Sequence, residues 1–166
     1  MSVLDTDLKL KLSGGAANSD PNASLGGAVS SEDITDNTLN NLFDDVLGDE
    51  HLAGDINYRC VFIKNNSAET AYNVKVWIES NTTGEDSEIQ IGEEAAGGSP
   101  VQEIADEDTA PSAISFSTAD GQANALVLGD MAAGAVYAIW IKRIVSAGST
   151  PQANDTAQLE VHCDTL

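Results

Sequence analysis

The segment Gly54-Asp55-Ile56-Asn57-Tyr58-Arg59-Cys60-Val61-Phe62-Ile63-Lys64-Asn65-Asn66 limits the fold more than any other. Read as an extended strand, it turns Tyr58, Cys60 and Phe62 to one side and Arg59, Val61 and Ile63 to the other. A strand with apolar groups on both sides belongs inside a sheet that is covered above and below. The strand is therefore expected to be central.

The rest of the chain repeats the same theme. Tyr72 to Glu79 sets Val74, Val76 and Ile78 against Asn73, Lys75, Trp77 and Glu79, the alternation of a half-buried strand. Asn81 to Asp86 is a turn, and Glu88 to Ile91 reads as a short strand. Ile114 and Phe116 make a strand fragment, Ala125 to Leu128 a brief strand, and Ala135 to Val145 the strongest strand of all. In that last strand Val136, Ala138, Trp140, Lys142 and Ile144 face one way, and Tyr137, Ile139, Ile141, Arg143 and Val145 the other. Ala157 to Cys163 closes the pattern with Leu159, Val161 and Cys163 inward. These spacings predict an all-β protein, a β-sandwich of about seven or eight short antiparallel strands.

Two segments depart from the theme. Leu8, Leu10 and Leu12 alternate with Lys9 and Lys11 in a short strand-like piece, and Gly14 to Ser31 is rich in Gly, Ser, Asn and Ala. The latter has too little apolar surface to offset its ordering entropy alone. Residues 1–31 are thus expected to be an extended N-terminal arm, flexible or ordered by a partner, ahead of a β-sandwich domain at 32–166. Between them Ser30 or Ser31 precedes Glu32-Asp33-Ile34, and Ile34, Leu39, Leu42, Phe43, Val46 and Leu47 recur at roughly helical intervals. A short helical segment before the first core strand is expected, anchored by Leu42 and Phe43; the alternative is a loop with one or two helical turns, because Asn37, Asn40, Asn41, Asp44 and Asp45 are poor helix formers.

Charge decides which partners are excluded. With 27 acidic and 7 basic residues the chain of 166 carries a formal charge of -20. Nucleic-acid backbones and anionic membranes both need cationic neutralisation, so neither is an expected partner. Asp44, Asp45, Asp49 and Glu50 are either a solvated run or, if they converge, a calcium cluster; Asp106-Glu107-Asp108 reads as solvated. No stretch has EF-hand spacing. The N-terminus lacks the cationic and apolar regions of a secretory signal.

Chemistry finds no foothold. His51 and His162 are the only histidines, Gly-x-Ser-x-Gly is absent, and Cys60 and Cys163 lack the close spacing of a zinc or redox pair. No enzyme activity, cofactor or metal is expected, and both thiols are expected to be unbridged.

Four blocks carry a resemblance: Leu42-Phe43-Asp44-Asp45; Gly54 through Asn65; Val74-x-Val76-Trp77-Ile78-Glu79-Ser80; and Gly134-Ala135-Val136-Tyr137-Ala138-Ile139-Trp140-Ile141-Lys142-Arg143. Over roughly residues 34–165 the chain resembles a family of tailed-bacteriophage virion structural proteins. The Gly-Asp-x-x-Tyr-Arg-Cys and Ala-Ile-Trp-Ile-Lys-Arg blocks are the most specific parts. The resemblance implies a structural protein of the virion, made in the bacterial host cytoplasm, and within the virion a capsid decoration (cement) protein on the outer face of the shell. Its implied partners are the major capsid protein and neighbouring copies of itself. Candidates for capsid docking are then Leu8, Lys9, Leu10, Lys11, Leu12 and Leu25, and the candidate for contact between copies is Trp77, whose alternative role is to cover an edge of its own sheet. A phage tail or baseplate component is the alternative within the virion. A carbohydrate-binding or calcium-stabilised adhesive sandwich is the alternative outside it.

Overall fold

Two antiparallel sheets face each other in the computed structural model, which describes residues 3–82, 87–94, 98–153 and 155–164. The larger sheet has five strands: β1 (Leu8–Ser13), β3 (Val29–Asp33), β4 (Asp55–Asn65), β6 (Ser87–Glu93) and β9 (Val136–Val145), in the order β3-β1-β4-β9-β6. The smaller has three, β5 (Ala71–Ser80), β8 (Leu126–Met131) and β10 (Gln158–Asp164), in the order β10-β5-β8. A two-stranded ribbon of β2 (Gly26–Gly27) and β7 (Val101–Glu103) completes the set. The two main sheets hold the eight strands of an all-β sandwich, and the turn expected at Asn81 to Asp86 lies mostly outside the described residues.

The central strand stands where its two-sided apolarity requires. β4 is the middle of the five-stranded sheet and pairs with β9 from Asp55↔Val145 through Lys64↔Val136. On one side Val61 and Ile63 of β4 and Ile139 and Ile141 of β9 join Val74, Val76 and Ile78 of β5, forming the core between the sheets. On the other side Tyr58, Cys60, Phe62, Ala138 and Trp140 form a second core. The second core is roofed by Ile104 and by half-buried Leu25, Val29, Val101, Ile114 and Phe116, drawn from the chain flanking β2, the start of β3, and β7 with the loop after it. Each fully buried large side chain contributes roughly 1.5–3 kcal/mol, so both layers matter to stability. Residues 114–116 form no strand; Ser117 and Ile91 exchange a pair of backbone bonds beside β6.

The N-terminal segment is not an arm. β1 pairs with β4 from Leu8↔Asn65 to Leu12↔Val61, and β3 pairs with β1 in turn. The division expected after residue 31 falls inside β3, and the described part of 1–31 belongs to the sandwich. Only Leu25 and Val29 of the Gly/Ser-rich run pack against the second core, and hydrogen bonds order the rest. Gly26 N–H donates to Ser13 Oγ at 3.0 Å, Asn18 Nδ2 to Ser13 O at 2.6 Å, and Cys60 N–H to Ser24 O at 2.8 Å. The last of these continues the edge of β4 beyond the end of β1. Gly26 itself is required, because at φ 101° a Cβ there would lie 2.0 Å from the Gln102 carbonyl oxygen.

The helix comes later than its spacing predicts. It is one short α-helix, α1 (Gly48–Ala53), directly before β4. Residues 34–47 run as irregular chain, with Asn37 and Asn40 at φ 54° and 56°, a conformation that an α-helix cannot contain. Leu42 is nonetheless buried and Phe43 half-buried, the two positions expected to anchor the segment.

Candidate docking surface

The residues expected to dock turn out to be occupied at home. Leu8 and Leu12 are buried in the core between the sheets, with Leu10 half-buried against it. Lys11 is buried too, its Nζ donating to the Ser31 carbonyl at 2.9 Å and pairing with Asp33. Leu25 packs against the second core, and its carbonyl accepts from Ile104 N–H at 2.9 Å. Only Lys9 stays exposed, directly across from Lys64. Leucines alternating with lysines thus made an internal strand with one charged side chain folded back.

Trp77 is likewise not presented to a neighbour. It is 6% exposed; its Nε1 donates to Glu79 Oε2 at 2.6 Å, and its ring lies 6.4 Å from that of His162. His162 Nδ1 is 3.1 Å from Asp5 Oδ2, while Asp5 Oδ1 accepts from Cys163 N–H at 3.0 Å. The other histidine, His51, is buried on α1 with Nδ1 3.1 Å from Ser149 Oγ. The two histidines serve separate local contacts.

A polar cluster closes one end of the sandwich. Arg59 of β4 is fully buried: Nη1 donates to Tyr58 O at 3.1 Å, Nη2 donates to Asn22 Oδ1 at 2.9 Å, and Nη2 also pairs with Glu107. Arg143 of β9 donates from Nε and Nη2 to Asn57 Oδ1 at 3.0 and 2.7 Å, and from Nη1 to Asp44 O at 2.6 Å. The Phe43 ring touches both guanidinium groups, 5.3 Å from Arg59 and 5.0 Å from Arg143, within cation–π range. Asn57 Nδ2 in turn donates to Asp55 Oδ2 at 2.9 Å and to Asp108 Oδ1 at 3.3 Å.

Two arginines on the central strands therefore hold down three loops, around residues 22, 43–44 and 107–108. The acidic trio read as solvated supplies two of the cluster's acceptors. The sequence did carry a signal for it, an arginine on an otherwise apolar face in each of the two most apolar strands. Asp44, Asp45, Asp49 and Glu50 do not act as one unit: Asp44 faces Arg143, and Glu50 accepts from Leu47 N–H at 2.5 Å. Among the described residues no three His, Cys, Asp or Glu side chains come together as metal ligands.

Both thiols are free and buried. Cys60 faces the second core and Cys163 the first. Burial, reinforced by Glu94, pushes the Cys60 thiol up to about 12 against a partly opposing hydrogen bond with Ser13, and burial together with Asp5 raises Cys163. Such thiols are poor nucleophiles.

The exterior carries most of the carboxylates, four lysines and a few apolar side chains. Lys11, Arg59 and Arg143 are turned inward into ion pairs, so three of the seven cations lie buried within the protein. Of the seven large apolar side chains exposed among the described residues, four fall in one stretch: Leu39, Leu47, Leu52 and Ile56. That stretch carries Asp44, Asp45, Asp49, Glu50 and Asp55 and neither lysine nor arginine. No helix among the described residues is long and apolar enough to cross a membrane.

The two most specific blocks of the resemblance meet in this fold. Gly-Asp-x-x-Tyr-Arg-Cys opens β4, Ala-Ile-Trp-Ile-Lys-Arg fills β9, and the register sets Cys60 against Trp140, Arg59 against Ile141 and Asn57 against Arg143. Compared with protein-family models, with curated proteins and with solved structures, the chain matches none.

Proposed function

We propose that this chain is a virion structural protein, and specifically a capsid decoration protein that binds the outer face of the major capsid shell and stabilises it. The observation that supports the reading is the pairing just described: the two blocks that resemble phage virion proteins are sequence-distant yet form the central β4–β9 pair. The likeness thus resides in residues that determine the fold, including the arginines that pin its loops. A resemblance confined to exposed turns would carry far less.

A rigid sandwich with buried cations and an anionic exterior suits a part repeated many times on a closed shell. Its surface charge keeps free copies apart, and a partner of opposite sign gathers them. Many weak contacts on one shell then add through avidity. Because β1 is part of the sheet, attachment has to use a face of the folded body, with the major capsid protein as its principal partner and neighbouring copies beside it.

Immunogold labelling of purified particles tests the reading. Gold over the head surface is the expected result. Gold confined to the tail would replace it with a tail or baseplate role, and absence of the chain from purified particles would end the virion reading.

A further inference from the structure

We propose that residues 39–56 form the docking surface of the protein, and that the surface it fits is a basic protein face with an apolar centre. Taking that face to be the outside of the capsid subunit rests on the reading above; the chemistry of the surface does not.

The leucines come first. Leu52 is 79% exposed and Leu47 60%, one in the short helix α1 and one just before it, and Ile56 follows where β4 begins. The adjacent Leu42 and His51 turn inward, so the stretch has an inner side that anchors and an outer side left exposed among the described residues.

The backbone that carries Leu47 and Leu52 is held in place. Gly54 N–H donates to Glu50 O and Gly148 N–H to His51 O, each at 2.7 Å, and Arg143 Nη1 grips Asp44 O. Apolar groups on a fixed backbone lose little further freedom on binding, which is what a pre-formed contact site requires.

Charge then selects the occupant. Of the five carboxylates in the stretch Asp44 pairs inward with Arg143, which leaves Asp45, Asp49, Glu50 and Asp55 beside the apolar side chains with no lysine or arginine among them, and the guanidinium groups of Arg59 and Arg143 are buried and paired. A second copy would bring another -20 chain against an acidic rim, so self-association is disfavoured. A partner with lysine or arginine around an apolar centre gains from both features, with rim charges steering the encounter and the leucines holding the complex.

The test is the double variant Leu47→Ser/Leu52→Ser. Both positions are exposed, so the fold should survive, and an unchanged melting curve verifies this. The first probe is a helical peptide of alternating lysine and leucine faces, titrated beside an oligolysine of equal charge. The intact protein should prefer the amphipathic peptide. The double variant should bind it roughly tenfold more weakly per leucine lost, while its affinity for oligolysine stays unchanged. Val127→Ser, on the opposite sheet and also exposed, should alter neither. Equal binding by the double variant and the intact protein, or an equal loss in Val127→Ser, would overturn the proposal.

The second probe is capsid heads stripped of this chain. If the intact protein sediments with them and the double variant does not, both readings gain. If both sediment alike, the surface assignment falls and the decoration reading stands. If the intact protein does not sediment, decoration falls and the peptide titration alone decides the surface. A concentration-dependent dimer abolished by Leu52→Ser would overturn the basic partner in favour of a second copy.

Discussion

Replacing Glu107 by glutamine removes one charge and almost no volume, and it leaves the Glu107 carbonyl free to accept from Tyr58 N–H at 2.7 Å as before. What changes is the electrostatic balance around Arg59, whose guanidinium is wholly buried and whose Nε has no hydrogen-bond partner among the described residues. Breaking a fully buried pair by removing one partner costs about 3–5 kcal/mol. The Glu107 side chain is 37% exposed, so water screens part of that, and about 2 kcal/mol is expected for Glu107→Gln.

For a chain of 166 residues, an unfolding entropy near 2.1 cal/mol/K per residue converts this to a fall in Tm of about 6 °C. Arg59→Met trades the charge for an apolar side chain of similar length, and in the double variant the orphaned charge is gone. The double variant should therefore recover about 1–2 kcal/mol relative to the sum of the single losses. Urea melts of the four proteins form the cycle, repeated at high salt, where a buried pair should keep most of its coupling. A Glu107→Gln protein within about 0.5 kcal/mol of the original, or single effects that simply add, would refute the assignment of Glu107 as the counter-charge of Arg59.

Deleting residues 1–13 should abolish cooperative unfolding, because it uncovers one side of β4 and removes Leu8 and Leu12 from the core; a truncated protein with an unchanged melt by circular dichroism would restore the arm. Gly26→Ala should cost about 3 kcal/mol or more, since its Cβ collides with a carbonyl, whereas Gly15→Ala, with a similar φ but open space, should cost about 1 kcal/mol by chemical denaturation. Cys60 titrates higher when folded than its ordinary value of 9.0, so its contribution to stability is complete below about pH 9 and is lost as pH rises towards 12; Cys60→Ala should flatten that alkaline decline in Tm. Iodoacetamide at pH 8 should leave both thiols untouched until urea unfolds the chain.

The strands that could be read in advance are those whose side chains alternate unaided. β4, β5, β9 and β10 each keep a period of two over a full crossing of the sheet, and their inward residues are the ones expected. Leu8 to Leu12 also alternate, but alternation says nothing of the partner: the same pattern suits a strand that pairs with β4 and one that awaits another protein. β3 offers only Val29 ahead of two serines and two acids; its extension comes from pairing with β1, a tertiary cause invisible locally. The helical spacing of Ile34 to Leu47 misled because Phe43 is drawn aside by two guanidinium groups and two asparagines take left-handed conformations. As for the docking surface, the spacing names Leu42 and Phe43 as anchors but does not say which way Leu39 and Leu47 face, and only packing reveals that they face out.

The union of β4 with β9 governs how such a chain is made. Until β9 leaves the ribosome, β4 has only β1 beside it, and its phenylalanine, valine and isoleucine lie open to water on either flank. Partners so far apart along the chain impose slow assembly and a sticky interval during synthesis. Nascent copies should for that reason lean on chaperones, and a stop codon before Val136 should yield inclusion bodies instead of a smaller soluble fragment.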